Sequence, residues 1–139
     1  MTQSERRLFL IKYLLKEREA CRASLPPMNE EEQKRVLRSL LNIREPKEPK
    51  AEFLRVQDAY LQEEIREKGI TDANTLEPVE DGIYLWQGDI TTLKCGAIVN
   101  AANSRLLGCF APCHLCIDNA IHTFAGVQLR LECNRIMTE

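Results

Sequence analysis

Charge and cysteine are distributed unevenly along this chain, and the asymmetry divides its 139 residues into two regions. Residues 1–81 contain 15 Lys/Arg and 17 Asp/Glu, whereas residues 82–139 contain 4 of each kind. Five of the 6 cysteines lie in the second region: Cys95, Cys109, Cys113, Cys116 and Cys133. The chain therefore consists of two regions of different character.

The first region has the apolar periodicity of amphipathic helices. We predict a first helix capped by Ser4 and ended by Pro26 and Pro27, and a second that begins after Asn29, which forms a capping box with Glu32. The first helix has an inward face formed by Leu8, Ile11, Leu14 and Leu15. The second has an apolar stripe formed by Val36, Leu37, Leu40 and Leu41.

A third helix is predicted over residues 51–68, with Gly69 just past its end and an extended, proline-containing segment over 44–50 before it. Its inward positions are Phe53, Val56, Tyr60 and Leu61. We interpret all three apolar stripes as core packing, because a one-sided stripe on a charged helix faces the interior.

The second region changes to a pattern of short apolar runs separated by loops. We predict a loop over 70–82, a buried strand over 83–86, and a second strand over 97–99. A cysteine-rich loop over 106–115 then leads into a long helix from Ile117, with Ile121, Phe124 and Ala125 inward. This order predicts the opening of an α/β layered fold.

Composition excludes several classes of function. The formal charge of −2 argues against nucleic-acid binding, which needs a clustered positive surface. The apolar stretch over 8–15 contains Lys12 and is shorter than the roughly 20 residues that span a bilayer. Glu17 and Glu19 follow that stretch without the small-residue cleavage site of a secretory signal. We therefore expect no nucleic-acid partner, no membrane partner and a cytoplasmic location.

Three cysteines and both histidines fall within residues 108–122. Cys109, His114 and Cys116 would suit zinc, with a fourth position open for water or substrate. Cys109, Cys113 and Cys116 instead have the C-x₃-C-x₂-C spacing of the cluster in radical enzymes that cleave S-adenosylmethionine. A third alternative is that these thiols are small buried apolar groups. The remaining cysteines, Cys21, Cys95 and Cys133, are expected to bind no metal.

Polar side chains follow the predicted strands, where ligands gather in open α/β sheets. Asn100 and Asn103 offer donors and acceptors suited to sugar hydroxyls, or they bond the local backbone of a turn. Asp89 either accepts from an exocyclic amine or caps a turn. Asp118, in the first turn of the last helix, is either a general base or a charge favoured by the helix dipole, and His122 is expected to be a packed histidine.

Three segments in sequence order resemble the start of a macrodomain, a family that binds ADP-ribose on a three-layer α/β/α fold. They are GDIT at 88–91, AIVNAAN at 97–103 and LLG at 106–108. GCFAPCHLC at 108–116 stands where most members have a glycine-rich loop, and this resembles the zinc-dependent microbial branch, whose members remove ADP-ribose from proteins. The helical first region is similar to the N-terminal extension of that branch.

The resemblance implies a role for each matching residue. Asp89, with Ile90 beside it, would bind adenine, Asn103 would bind the distal ribose as part of the catalytic apparatus, and Asp118 would activate water. The zinc ligands of the branch correspond to Cys109, His114 and Cys116. The implied reaction is hydrolysis of the ester between ADP-ribose and an acidic side chain. The implied partners are an ADP-ribosylated protein, a sirtuin-type ADP-ribosyl transferase and a lipoylated carrier protein.

The later strands of a macrodomain, its second phosphate-binding loop and its ribose-stacking aromatic residue have no counterpart in this sequence. We therefore expect a helical extension over 1–69, a linker over 70–82 and the N-terminal part of a macrodomain over 83–139, inactive or incomplete by itself. Two other functions stay open at this point. One is an ADP-ribose-binding module without catalysis, and the other is a structural zinc module with a protein-interaction domain.

Overall fold

The computed structural model describes residues 1–18 and 29–139, in which three helices are followed by four short strands and two further helices. This mixed composition confirms the α/β prediction. The helices of these residues are α1 (Gln3–Glu17), α2 (Glu30–Asn42), α3 (Ala51–Lys68), α4 (Ile117–Ala125) and α5 (Val127–Thr138). The strands are β1 (Thr71–Asp72), β2 (Pro78–Glu80), β3 (Ile83–Tyr84) and β4 (Leu93–Lys94). No helix in this described part of the chain has the length and apolarity needed to cross a membrane.

The first helices begin at capping boxes, which satisfy N–H groups that have no partner within the helix. The Asn29 carboxamide accepts from the Glu32 N–H and confirms the predicted start of α2. The cap of α1 is Thr2, which forms its box with Glu5, so the prediction of Ser4 was wrong. Both residues have a cap-forming hydroxyl, but only Thr2 lies three residues before a glutamate. The predicted stop at 26–27 lies outside the described residues.

The hydrophobic core lies between α1, α2 and α3, as the apolar stripes predicted. Leu8, Leu15 and Val36, at the margin of those stripes, are only partly buried. Two core residues were not predicted: Leu10, which is fully buried one turn before Leu14, and Val127, which comes from the second region. The buried cluster is formed by Leu10, Ile11, Leu14, Leu37, Leu40, Leu41, Phe53, Val56, Tyr60, Leu61 and Val127. Each large apolar side chain buried here contributes about 1.5–3 kcal/mol.

The predicted long helix from Ile117 is two helices, because Gly126 breaks it at a φ of +82°. A Cβ on Gly126 would lie 2.5 Å from Nε2 of Gln57 on α3. The same Gln57 accepts a hydrogen bond from the Val127 N–H through Oε1, over 3.0 Å. The break therefore lets α3 dock against the start of α5. It also leaves Ala125 exposed, contrary to its predicted inward position.

A buried arginine of α5 joins the two regions. The Arg130 guanidinium donates to the carbonyl oxygen of Leu107 over 2.7 Å and to those of Leu41 and Arg44 over 3.1 and 2.5 Å. Its guanidinium carbon lies 4.3 Å from the centre of the Phe110 ring. Three separate backbone segments therefore meet at one side chain.

The short strands form two separate pairs. β1 runs parallel to β4, and β2 runs antiparallel to β3. The predicted loop over 70–82 therefore contains two strands, while the predicted strand over 83–86 is reduced to β3. Ile83 is 54% exposed, so the prediction that this strand is buried was wrong. A two-stranded ribbon has no layer over its face and cannot bury its side chains.

The predicted strand over 97–99 is absent from this part of the described chain, and Val99 is 89% exposed. A strand needs a neighbour that takes up its backbone hydrogen-bonding groups. Among the described residues, no strand pairs with this run. Apolar character was therefore insufficient to define a strand.

Candidate functional site

Cys109, His114 and Cys116 form a cluster in which the candidate ligand atoms all lie within 4.8 Å of one another. Cys109 and His114 come from the loop before α4, and Cys116 is the N-cap of α4. The structure therefore brings together the first of the two metal-ligand sets that the spacing left open. Cys95 and Cys133 are free thiols outside the cluster, and Cys21 lies outside the described residues.

Cys113 belongs to a different set of contacts. Its backbone has a positive φ of 54°, and its N–H donates to Asn42 Oδ1 over 2.9 Å. Its thiol donates to the backbone oxygen of Arg35 over 3.4 Å. This turn ties Cys113 to α2 while its neighbours His114 and Cys116 face Cys109.

The donor set fits a zinc ion. Zinc–sulfur bonds of 2.3 Å and zinc–nitrogen bonds near 2.0 Å place tetrahedral donors about 3.5–3.8 Å apart, so the side chains need shift by only about 1 Å. Burial raises the pKa of the Cys116 thiol, but hydrogen bonds from His114, the Asn119 N–H and Cys109 outweigh this and lower the pKa overall. A thiol whose pKa is lowered at a helix N-terminus has the thiolate character that a metal ligand needs.

Asn119, which is 0% exposed, holds the ligand loop from the first turn of α4. Its Nδ2 donates to the backbone oxygens of Cys109 and Ala111 over 3.4 and 3.1 Å, and its own N–H donates to Cys116 Sγ over 3.5 Å. Its Oδ1 accepts from Nε and Nη2 of Arg38 on α2, over 3.2 and 2.9 Å. Neither Asn119 nor Arg38 was predicted as a site residue, because no short-range spacing rule relates positions 81 apart.

Asp118 is buried beside a second carboxamide. The Asn100 Nδ2 donates to Asp118 Oδ1 over 2.8 Å, and His122 Nε2 lies 3.6 Å from the same oxygen. Asp118 is 4% exposed. Among the described residues, Asn100 Oδ1 and His122 Nδ1 are buried atoms without a hydrogen-bond partner.

His122 is packed in the interior, as predicted. Burial lowers its pKa most, and the Arg130 charge lowers it further, while Asp118 opposes both effects. Gly108, at a φ of +81°, lies against the imidazole, where a Cβ would approach the ring to 2.7 Å. Glycine is therefore required at this position for both its backbone conformation and the contact with His122.

Asn103 lies at an open cleft whose lining includes Leu107, Gly108, Cys109 and Phe110. Its Oδ1 accepts from the Arg105 N–H over 3.0 Å, and its Nδ2 donates to the Gly108 carbonyl oxygen over 3.2 Å. The structure therefore places a candidate catalytic carboxamide and a candidate metal ligand at the same cleft. Asp118 is not part of this lining.

Asp89 and Ile90 lie elsewhere on the surface, in the segment between β3 and β4. Asp89 caps a 3₁₀ turn through the Thr91 N–H and pairs with Lys68 Nζ over 3.1 Å. Burial raises the pKa of this carboxyl, but hydrogen bonds with Thr91 and Lys68 outweigh it and lower the pKa overall. Ile90 lines an apolar groove that also includes Ile98, Ile121 and Phe124.

The segment that contains the cluster and Asn103 also matches a known protein family. A family model described as Macro domain matches residues 99–139, which include the Cys109, His114 and Cys116 cluster, Asn103 and Asp118. The resemblance to macrodomains is thus confirmed over this segment.

The similar proteins extend the likeness to the helical region. The chain is 58% identical over 143 residues to a protein of Treponema medium named protein-ADP-ribose hydrolase. The alignment covers 100% of this chain and 55% of that protein. It is 46% identical over 132 residues to a Staphylococcus aureus protein of the same name, covering 94% of this chain and 49% of that protein. A probable bifunctional ADP-ribose hydrolase/ADP-ribosyltransferase of Fusarium oxysporum is 65% identical over 52 residues, 37% of this chain and 9% of that protein. The chain spans about half the length of the first two relatives.

Proposed function

We propose that this chain belongs to a zinc-dependent hydrolase that releases ADP-ribose from acidic side chains of modified proteins. The observation that carries the proposal is the cleft shared by Asn103 and the ligand Cys109, within the segment that matches the Macro domain model. The names of the Treponema and Staphylococcus relatives support the same activity.

Zinc would be held by Cys109, His114 and Cys116, and when bound it supplies Lewis acidity that polarises a nearby oxygen. Asn103 would bind hydroxyls of the distal ribose, since its carboxamide both donates and accepts hydrogen bonds. Asp89 would accept from the adenine amino group, with Ile90 against the adenine ring. These roles divide binding between the groove at Ile90 and the cleft at Asn103.

Asp118 would orient the attacking water and take its proton. The water oxygen bonds to the anomeric carbon while the bond from that carbon to the ester oxygen breaks, and the protein carboxylate leaves. Asn100 fixes the orientation of the Asp118 carboxyl, because its Nδ2 donates to Oδ1. Since Asp118 is 4% exposed, the side chains around it must rearrange before water reaches its carboxyl group.

Release of ADP-ribose from an ester-modified protein tests this proposal. We expect the Asn103→Ala and Cys109→Ala variants to abolish release, measured by chromatography of free ADP-ribose. Wild-type turnover in Cys109→Ala would contradict a catalytic role for zinc. The assay requires both this chain and the chain extended to the length of its relatives, because catalysis is a property proposed for the whole protein.

A non-catalytic ADP-ribose-binding module is the second candidate, favoured by the burial of Asp118 and its hydrogen bond with Asn100. Calorimetry separates the two: this candidate requires ADP-ribose binding without turnover in the extended protein as well. A structural zinc module would bind one zinc per chain and no ADP-ribose.

The proposal includes a cytoplasmic location and specific partners. Free thiols at the five described cysteines suit a reducing compartment. The partners proposed from family resemblance are a sirtuin-type transferase, which would attach the ADP-ribose, and a lipoylated carrier protein. Co-purification of either partner with the tagged protein would test this part.

A further inference from the structure

The guanidinium of Arg38 connects the helical region to the candidate metal loop. Its Nη2 donates to the backbone oxygen of His114 over 3.0 Å and to Asn119 Oδ1 over 2.9 Å. Its Nε donates to the same Asn119 oxygen over 3.2 Å. One planar group therefore fixes both a candidate ligand residue in the loop and the first turn of α4. Only the planar guanidinium of arginine has donors in this arrangement.

Asn119 carries this connection to the other two ligands. It donates from its backbone to Cys116 Sγ and from its side chain to the backbone oxygen of Cys109. Arg38 contacts His114 directly. The Arg38–Asn119 pair thus contacts all three candidate ligand residues, although neither member offers a metal-ligand atom.

The packing of α2 against α4 and α5 has support independent of Arg38. Asn42 Nδ2 donates to Thr123 Oγ1 over 3.0 Å, and the Leu41 carbonyl oxygen accepts from Arg130 over 3.1 Å. Leu37, Leu40 and Leu41 lie in the buried core. Loss of the Arg38 side chain should therefore release the ligand loop while the helices stay packed.

We infer that Arg38 is a positioning residue that, through Asn119, preorganises Cys109, His114 and Cys116 to bind zinc. The inference rests on the proposed zinc site and extends it by making the helical region part of the metal site. Hydrogen-bond partners of metal ligands typically change metal affinity by about 10–100-fold when they are removed.

The test is zinc affinity of the full 139-residue chain, measured by competition with a chromophoric chelator. We expect Arg38→Met to bind zinc about 10–100-fold more weakly than wild type. Arg35→Met is the matched control, because it removes the same charge from an exposed side chain of the same helix and leaves the Arg35 carbonyl in place. We expect its affinity to equal that of wild type.

Two further readouts separate positioning from general destabilisation. Cobalt-loaded Arg38→Met should show altered ligand-field bands, and Arg38→Gly should regain zinc affinity when free guanidinium is added at concentrations below those that unfold the chain. Circular dichroism should show the same helix content in every variant. If Arg38→Met is unfolded, Arg38→Lys takes its place. Its single ammonium should give a loss of zinc affinity between those of wild type and a variant without any donor at position 38.

The outcomes distinguish this inference from the proposal beneath it. If wild type binds no zinc, the zinc site itself is wrong, and the inference is overturned with it. If wild type binds one zinc and Arg38→Met binds it as tightly as Arg35→Met, only the positioning role is overturned.

Discussion

The side-chain amide of Asn100 donates to Oδ1 of Asp118 across 2.8 Å, at a carboxylate that is almost fully buried. This one hydrogen bond joins the segment that follows the predicted 97–99 strand to the first turn of α4. The other Asn100 atom, Oδ1, is buried without a partner among the described residues. The pair is therefore sensitive to any change in charge at position 100.

Asn100→Asp should destabilise the chain by about 1–3 kcal/mol at pH 7, because it removes the donor and places a second carboxylate against Asp118. Urea unfolding measures this. Asn103→Asp, at an exposed residue bonded to local backbone, is the control and should lose less; an equal loss in both variants would contradict the pairing argument.

Gly108→Ala should destabilise the chain by about 2–4 kcal/mol, because it combines a left-handed backbone with a Cβ pressed into the His122 ring. Thermal melting compares it with two controls. Gly69→Ala also has a positive φ, but its Cβ would meet nothing within 4 Å among the described residues, so it should show the backbone effect alone. Gly96→Ala has neither feature and should be nearly neutral; equal losses at 108 and 69 would exclude the contact with His122.

The buried His122 should make stability fall with acidification. Its pKa is below the ordinary 6.5 in the folded chain, so the unfolded chain binds more protons as pH drops through about 6.5. The free energy of unfolding should therefore decrease from pH 6.5 downward until the folded pKa is passed. Denaturant unfolding of the metal-free chain between pH 7.5 and 5 measures the slope. His122→Gln should show a shallower slope over this window, and an unchanged slope would exclude His122 as its source.

Zinc should raise the melting temperature of the chain, since a ligand that binds only the folded state stabilises it by about 4 kcal/mol at 1,000 times its Kd. Cys116→Ser should remove this response, whereas Cys113→Ser should retain it, because the Cys113 thiol contacts Arg35 rather than the cluster. Scanning calorimetry with and without added zinc compares the variants. Loss of the response in Cys113→Ser would favour the three-cysteine set instead.

Local signals in the sequence were enough to predict where the three helices of the first region lie. Asn29 and Glu32 are three residues apart and form their capping box within one turn, so the start of α2 was predictable. The strand over 97–99 was not, because its existence depends on a neighbouring strand rather than on Ile98 or Val99 themselves. Gly126 was not predicted as a helix break, because glycine is required there by the approach of Gln57 from α3.

In the candidate site, too, features that depend on residues distant in sequence could not be predicted. The spacing of Cys109, Cys113 and Cys116 predicted a metal loop but left the ligand set open. The choice of Cys109, His114 and Cys116 in the fold depends on the backbone turn at Cys113 and on its contacts with Asn42 and Arg35, both from another helix. Contacts over such sequence distances carry no periodicity.

Arg130 has a further consequence for how the molecule opens. Its guanidinium is shared by backbone oxygens of residues 41, 44 and 107, so fraying any one of these segments leaves a buried cation short of an acceptor. Local opening at the end of α2 and at the start of the cysteine-rich loop is therefore linked. Amides on both sides of the boundary between the charged and the cysteine-rich regions should be protected from hydrogen exchange to a similar degree. The cysteine-rich loop would thus be held rigid by helices that are distant from it in the chain.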